Sequence, residues 1–384
     1  MNFSISKEHE MLRTLYREFA EKEIKPIARD IDEAEEFPRA TTEKMAKTGF
    51  MGIYIPREYG GQGCDPLAYA MCVEELSKVC GTHGVIVSAH TSLCCDPIMN
   101  YGTEEQKQKY LIPLAKGEKL GAFGLTEPGA GTDAQGQQTK AVLDGDEYVL
   151  NGTKIFITNG KEADVYIVFA VTSIETDKRG RSKKNISAFI VEKGTPGFSF
   201  GTKEKKMGIR ASSTYELIFS DCRIPKENLL GREGKGFGIA MATLDGGRIG
   251  IGAQALGLAA GALETTITYV QERKQFGKPI AAFQNTQFIL ADMATKVEAA
   301  RLLVYKAADA KKKQKFYSTE AAMAKLYASE VAMKVTTKAV QLHGGYGFIR
   351  EYEVERMMRD AKITEIYEGT SEVQKMVIAA GIIK

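Results

Sequence analysis

Between Gly250 and Gln271 the chain keeps a helical period while placing small residues at Gly252, Ala253, Gly257, Ala260 and Gly261. Glycine inside a helix costs roughly 1 kcal/mol relative to alanine. Such a segment is helical only where neighbouring elements pack directly onto its small faces. Further helical periods near 284–312, 318–342 and 353–364 supply those neighbours, and four such helices make a bundle.

The rest of the chain divides by texture. Residues 1–118 read as helices, beginning with Leu12, Leu15, Tyr16 and Phe19 on one face and broken at Glu36-Phe37-Pro38, Tyr59–Gly63 and Tyr101-Gly102-Thr103. Residues 119–230 alternate like half-buried antiparallel strands. The runs are Lys140–Leu143, Glu147–Leu150, Lys154–Thr158, Val165–Val171, Ile186–Val191 and Thr214–Phe219, and Asp144-Gly145-Asp146 is a hairpin turn signal. From residue 231 to 384 the helical period returns. The expectation is an α+β multidomain chain with an N-terminal α-helical domain, a middle antiparallel β domain and a C-terminal four-helix bundle.

A chain of 384 residues exceeds what one core usually fills. Hydrophobic content of 43%, charged content of 26% and a net charge of +3 are those of a soluble globular protein and argue against nucleic-acid binding. The basic run Lys178–Lys184 lacks interleaved aromatics and reads as a solvated loop. No stretch reaches the ~20 apolar residues of a membrane span, and no signal segment precedes the first helix, so the expected location is cytoplasmic. Six cysteines without C-x-x-C spacing fit reduced thiols, and four histidines without ligand spacing point to no metal.

Several motifs carry possible chemistry. Ile366-Tyr367-Glu368-Gly369-Thr370-Ser371 puts a lone carboxylate before a helix start, with Ser371-x-x-Gln374 as a capping box. There Glu368 either complements the helix dipole or, once an apolar ligand covers it, becomes a general base. Leu125–Asp133 (LTEPGAGTD) is a small-residue loop that either turns the chain or lets backbone amides approach a ligand. Its Gly129-x-Gly131 is no dinucleotide fingerprint, because Pro128 and Gly136 spoil both flanks. Lys154–Asn159 is an ordinary strand or one whose Phe156 and Thr158 meet an aromatic cofactor. Asp245-Gly246-Gly247-Arg248, at the start of the Gly/Ala-rich helix, is an i, i+3 ion pair or a grip on an extended ligand. Arg273 ends that helix where the dipole favours cations, or clamps a pyrophosphate. Gln341–Gly347 is a C-cap or a binding loop.

Taken together and in this order, Leu125–Asp133, Lys154–Asn159, Asp245–Arg248, Arg273–Gly277, Gln341–Gly345 and Ile366–Ser371 resemble the acyl-CoA dehydrogenase family, in its short-chain branch, over essentially the whole chain. The resemblance implies Glu368 as the catalytic base. It implies FAD contacts at Phe123, Leu125, Thr126, Gly131, Thr132, Phe156, Ile157, Thr158, Thr370 and Glu372. Arg273, Gln275, Phe276, Phe283, Gln284, Gln341, Gly344 and Gly345 correspond to FAD-contacting positions, several of them serving a neighbouring subunit. Thr132, Asp245, Gly246, Gly247, Arg248, Tyr367 and Gly369 border the acyl-CoA. Phe156 stands where many relatives have tryptophan, and Glu372 where glutamine is frequent. Gly247 occupies the place of the base in the isovaleryl and long-chain branches, which leaves Glu368. No arginine lies in Gly81–Leu93 to receive a distal carboxylate.

The implied reaction is butyryl-CoA to crotonyl-CoA or its reverse. Glu368 takes the α-proton, the β-hydrogen passes to the flavin, and the Glu368 N–H helps polarise the thioester carbonyl. The implied partners are an electron-transferring flavoprotein and further copies of the chain in a homotetramer. Alternatives are a related enoyl-CoA reductase acting on acryloyl- or aryl-acrylyl-CoA, and a non-catalytic acyl-CoA-binding protein.

Overall fold

The structure, a computed structural model, describes residues 5–176 and 182–383. Short helices fill the chain up to Ala115, among them Lys7–Phe19, Pro66–Val79 and Gly81–Ser88. Asp65 caps Pro66–Val79 by accepting the Ala68 N–H, and proline at the first helical position needs no N–H partner. Twelve of the fourteen residues of that helix are buried, so it is an internal element.

Strands follow: β1 Gly121–Gly124, β2 Lys140–Asp144, β3 Glu147–Thr158, β4 Val165–Thr176, β5 Ser182–Glu192, β6 Phe198–Lys203, β7 Thr214–Pro225 and β8 Leu229–Leu230. They form one sheet in the order β6-β7-β3-β2-β4-β5-β8, with β1 beside β4. Its pairings are antiparallel except that β1 and the start of β2 run parallel to β4. The turn at Gly145-Asp146 closes the β2–β3 hairpin, with Asp144 opposite Glu147. The runs 147–150 and 154–158 are one continuous strand, bulged between Leu150 and Gly152 and again between Lys154 and Ile157. Of the basic run, Lys178–Arg181 lie outside the described residues, whereas Ser182–Lys184 belong to β5 rather than to a loop.

The C-terminal part contains helices Gly236–Glu272, Gln284–Lys313, Ser318–His343, Val354–Lys362 and Ser371–Ile382, with a hairpin of β9 Lys274–Gln275 and β10 Lys278–Pro279 after the first. The Gly/Ala-rich helix is enclosed as its composition requires. A Cβ on Gly257 would lie 2.3 Å from the Glu74 carbonyl oxygen, and one on Gly261 2.1 Å from that of Lys78. Only glycine lets this helix rest on the Pro66–Val79 helix at that distance. One apolar core joins the N-terminal helices, the C-terminal helices and one sheet face, while Tyr148, Tyr166, Phe189, Leu217 and Phe219 fill the other. No helix among the described residues is long and apolar enough to cross a membrane. The six cysteines are free thiols, five of them buried.

Candidate active site

After helix Val354–Lys362 the chain makes a short 3₁₀ turn and then places two consecutive residues in the left-handed region, Glu368 at φ 53° and Gly369 at φ 95°. Thr370, in extended conformation, caps the last helix by accepting the Val373 N–H. The cap is therefore Thr370 and not Ser371, because Ser371 already has helical geometry. Gln374 still reaches back, but to carbonyls: its Nε2 donates to the oxygens of Gly369 at 2.7 Å and Glu368 at 3.3 Å.

This bend lays the Glu368 carboxyl on Gly247, where a Cβ would lie 2.1 Å from Oε2. Oε2 is buried and has no hydrogen-bond partner. Burial pushes the carboxyl up to about 7, against the pull of Lys325 and Arg248. The fold itself thus supplies the enclosure that the sequence reading expected from a bound ligand.

Asp245–Arg248 lies in the third turn of the long helix, not at its start, because the helix begins at Gly236. Arg248 Nη1 donates to Asp245 at 2.6 Å, and Ser318 donates its hydroxyl to the same carboxylate. The ion-pair alternative is thus realised, while the glycines between the two charged residues keep the surface low: Gly246 faces Lys311 and Gly247 faces Glu368. One turn on, a Cβ at Gly250 would meet Ser88 Oγ and Tyr69 Oη at 2.3 and 2.4 Å. The Tyr367 hydroxyl is bonded to Gln254, which donates to the Gly81 carbonyl at 2.9 Å.

On the sheet side, the loop after β1 is tied to β3 by the Ile155 N–H donating to Thr126 O at 2.9 Å. Beneath it Lys154, fully buried, donates to Leu125 O, Glu127 Oε1 and Gln137 Oε1 at 3.0, 2.7 and 3.0 Å. Glu127 also accepts the N–H groups of Gln138 and Thr139. Above this anchor Gly129 and Gly131 face open space, and Thr132 is exposed. The second bulge of β3 puts Phe156 at φ 60° and leaves 60% of it exposed, whereas Ile157 packs in the sheet core. Phe123 packs edge-on against Phe169, and Thr158 pairs with Thr214.

The remaining predicted residues gather elsewhere. Arg273, Gln275, Gln341, Gly344 and Gly345 line a cleft of about 450 Å³ that includes neither Phe156 nor Glu368. Arg273 stacks over the Tyr346 ring at 5.0 Å, and His343, also lining the cleft, keeps a buried Nε2 without partner. Phe276, at φ 52° on the hairpin tip, is 93% exposed and meets Phe283 edge-on, next to Gln284 at the start of its helix. Among the described residues seven non-glycines have positive φ, and three of them are predicted site residues: Phe156, Phe276 and Glu368. Strained backbone of this kind persists where the surroundings hold it and often marks function.

Three family models match the chain in order: the acyl-CoA dehydrogenase N-terminal domain over residues 6–118, the middle domain over 122–222 and the C-terminal domain over 234–383. The chain belongs to the acyl-CoA dehydrogenase family and is an oxidoreductase of that class. It is 61% identical to the short-chain specific acyl-CoA dehydrogenase of Clostridium acetobutylicum, each covered over 100%. It is 54% identical to the acryloyl-CoA reductase (NADH) of Anaerotignum propionicum, over 100% of this chain and 96% of that one. Among solved structures, butyryl-CoA dehydrogenase from Megasphaera elsdenii is 51% identical with a TM-score of 0.96. A chain solved in work on the electron-transferring flavoprotein of Acidaminococcus fermentans and flavin-based electron bifurcation is 57% identical, also at 0.96. Both structures match over 100% of each chain.

Sequence reasoning gave no role to Lys154, Lys325, Tyr69, Ser88 or Gln254. The available signal was a lone lysine inside each of two otherwise apolar patterns, Lys154 before Ile155-Phe156-Ile157 and Lys325 amid Ala321, Ala322, Ala324 and Ala328.

Proposed function

We propose that this enzyme interconverts a short saturated acyl-CoA and its trans-2-enoyl-CoA, with Glu368 moving the α-proton. The observation that carries this is the Glu368 carboxyl: buried, with an unpartnered Oε2 and an affinity for protons near neutrality. A general base works best when its pKa lies near the operating pH. Held on Gly247, the carboxyl faces the Asp245–Arg248 segment, which with Gly369, Tyr367 and Thr132 would border the thioester. The Glu368 N–H, presented by the left-handed bend, would donate to the thioester carbonyl as enolate charge develops. Tyr69 and Ser88 crowd Gly250, one turn or about 4.5 Å of helix rise beyond Gly247, which supports a short acyl chain.

FAD fits the residues present. The open space over Gly129 and Gly131 and the exposed ring of Phe156 leave room for a planar ligand, which Phe123, Leu125, Thr126, Thr132, Ile157, Thr158, Thr370 and Glu372 would contact. Bound there, FAD supplies the hydride acceptor for the β-hydrogen. The separate cleft at Arg273, Gln275, Gln341, Gly344 and Gly345, with Phe276, Phe283 and Gln284 nearby, would serve the FAD of a neighbouring copy, which implies a homo-oligomer, read as a tetramer. We divide the chain into working domains near residues 118 and 230. The partner we assign is an electron-transferring flavoprotein, in keeping with the A. fermentans work. The likeness to an acryloyl-CoA reductase favours one second reading, a reductase of acryloyl-CoA on the same site.

Anaerobic titration with butyryl-CoA, followed by flavin absorbance, tests the proposal. Prompt bleaching is the expected result. A flavin that butyryl-CoA leaves oxidised, but that acryloyl-CoA reoxidises after chemical reduction, would replace it with the second reading.

A further inference from the structure

Helix Ser318–His343 turns a row of buried alanines inward, Ala321, Ala322, Ala324, Ala328 and Ala332. Lys325 stands in that row with none of its surface exposed. Taking an ammonium out of water costs several kcal/mol unless its surroundings compensate, so a lysine here needs a reason at its tip. Among the described residues its Nζ makes one hydrogen bond, 2.7 Å to the carbonyl oxygen of Gly369. Gln374 donates to the same oxygen from the last helix, and to the carbonyl of Glu368. Donors from two helices thus pin both carbonyls of the left-handed Glu368–Gly369 pair. Without them that backbone would relax toward ordinary φ, and the Glu368 side chain and N–H would swing with it.

We propose that Lys325 is the positioning residue of the base: its ammonium fixes the Gly369 carbonyl, and its charge, with no carboxylate in contact, attracts ionised Glu368. The inference rests on reading Glu368 as that base. The other groups facing the pair are Arg248 from the long helix, already paired with Asp245, together with Tyr69 from the Pro66–Val79 helix and the adjacent Tyr367. Glu365 and Glu372 act on Lys325 more weakly. Burial drives the two protonation equilibria toward one another, Glu368 up to about 7 and Lys325 down to about 8, and their mutual attraction opposes both. Lys325 therefore acts on the base between about pH 6 and pH 8. Above that it loses its own charge, when Glu368 is already ionised.

The base can be read without substrate by infrared titration of the holoenzyme, using the carboxyl band that Glu368→Gln removes. We expect Lys325→Met to move the Glu368 midpoint upward by about one pH unit, a tenfold change in its ionisation constant, with flavin retained. Lys325→Arg, which keeps the charge, should return the midpoint toward wild type. In rapid-mixing experiments with butyryl-CoA the Met variant should lose about tenfold more in flavin reduction at pH 6 than above pH 9, where only the lost hold on the Gly369 carbonyl still slows it. An unchanged midpoint in the Met variant would reduce Lys325 to a structural prop and overturn the proposal. If that variant does not fold, Lys325→Gln, which keeps a donor and drops only the charge, must show the same upward shift or overturn it equally. A shifted midpoint in an enzyme that butyryl-CoA does not reduce supports Lys325 and counts against the substrate instead.

Discussion

Lys154 and Lys325 are both buried without exposed surface, yet their surroundings differ in kind. Lys154 has three acceptors, one of them the Glu127 carboxylate at 2.7 Å, and Glu127 is in turn satisfied by two backbone N–H groups. Lys325 has one carbonyl, and the carboxyl it influences keeps an oxygen without a partner. The directions of the two carboxyls follow. Contacts with Lys154 and the amides hold Glu127 below the usual carboxylate range although burial opposes them, whereas burial lifts Glu368 to about 7. Lys154 itself is lowered to about 8 by burial that outweighs its pairing with Glu127. A saturated pair is architecture for the loop after β1. An unsaturated one leaves a carboxyl able to take up and release a proton, as the proposed chemistry requires.

Neutralising each carboxyl in turn probes that contrast, and the largest effect is expected at the unsaturated one. Glu368→Gln should lower the rate of flavin reduction by butyryl-CoA by about 10²–10⁴-fold, the range for general base catalysis, while flavin content stays at the wild-type level. Normal turnover in that variant would sink the assignment of the base. Glu127→Gln should do the reverse. It strands a buried ammonium, so chemical denaturation should reveal a loss of about 3–5 kcal/mol, similar from pH 5 to pH 7 and accompanied by weaker flavin retention. Indifference of stability to that change would mean that the Lys154 network is not what holds the loop. Between these lies a steric test. Gly247→Ala puts a methyl where Oε2 now sits, and displacement of the carboxyl by about 1 Å should cost about 10² in flavin reduction, with the thermal midpoint nearly kept. A rate within twofold of wild type would show that Gly247 does not set the pose.

How much of this was legible beforehand depends on whether the cause is local. Helical and strand periods are local, and the α–β–α order followed from them. β1 is four residues of Gly-Ala-Phe-Gly and β8 two leucines, too short for a period to register. Glu147–Leu150 and Lys154–Thr158 read as two runs because the bulge between Leu150 and Gly152 interrupts the alternation that a single strand would show. The cap moved from Ser371 to Thr370 because both residues can cap, and only the backbone angles decide which does. The Glu368 motif was visible through resemblance, but its enclosure comes from Gly247, which is distant in sequence. Lys325 was invisible for a related reason: a lysine in a helix reads as solvated, and only the bundle buries it.

The pH dependence of stability separates the two carboxyls most cleanly, because their linkages run in opposite directions. An unfolded glutamate titrates near 4.3, and folded Glu368 near 7. Between those values the folded chain holds a proton that the unfolded chain has released, so stability falls as pH rises through this window and then levels off. Glutamine carries no such penalty. Glu368→Gln should therefore match wild type near pH 4 and exceed it at pH 8 by on the order of 3–4 kcal/mol, read as a thermal midpoint of the variant that climbs above wild type as pH rises through the window. Glu127 has the opposite linkage. Its folded value is lowered, so its stabilising contribution is present above the unfolded value and is lost only in acid, as pH falls through the lowered one. Glu127→Gln should thus lose stability wherever Glu368→Gln gains it. A Glu368→Gln variant no more stable than wild type at pH 8 would mean that Lys325 and Arg248 already compensate the buried charge, and the carboxyl would then be as settled as Glu127.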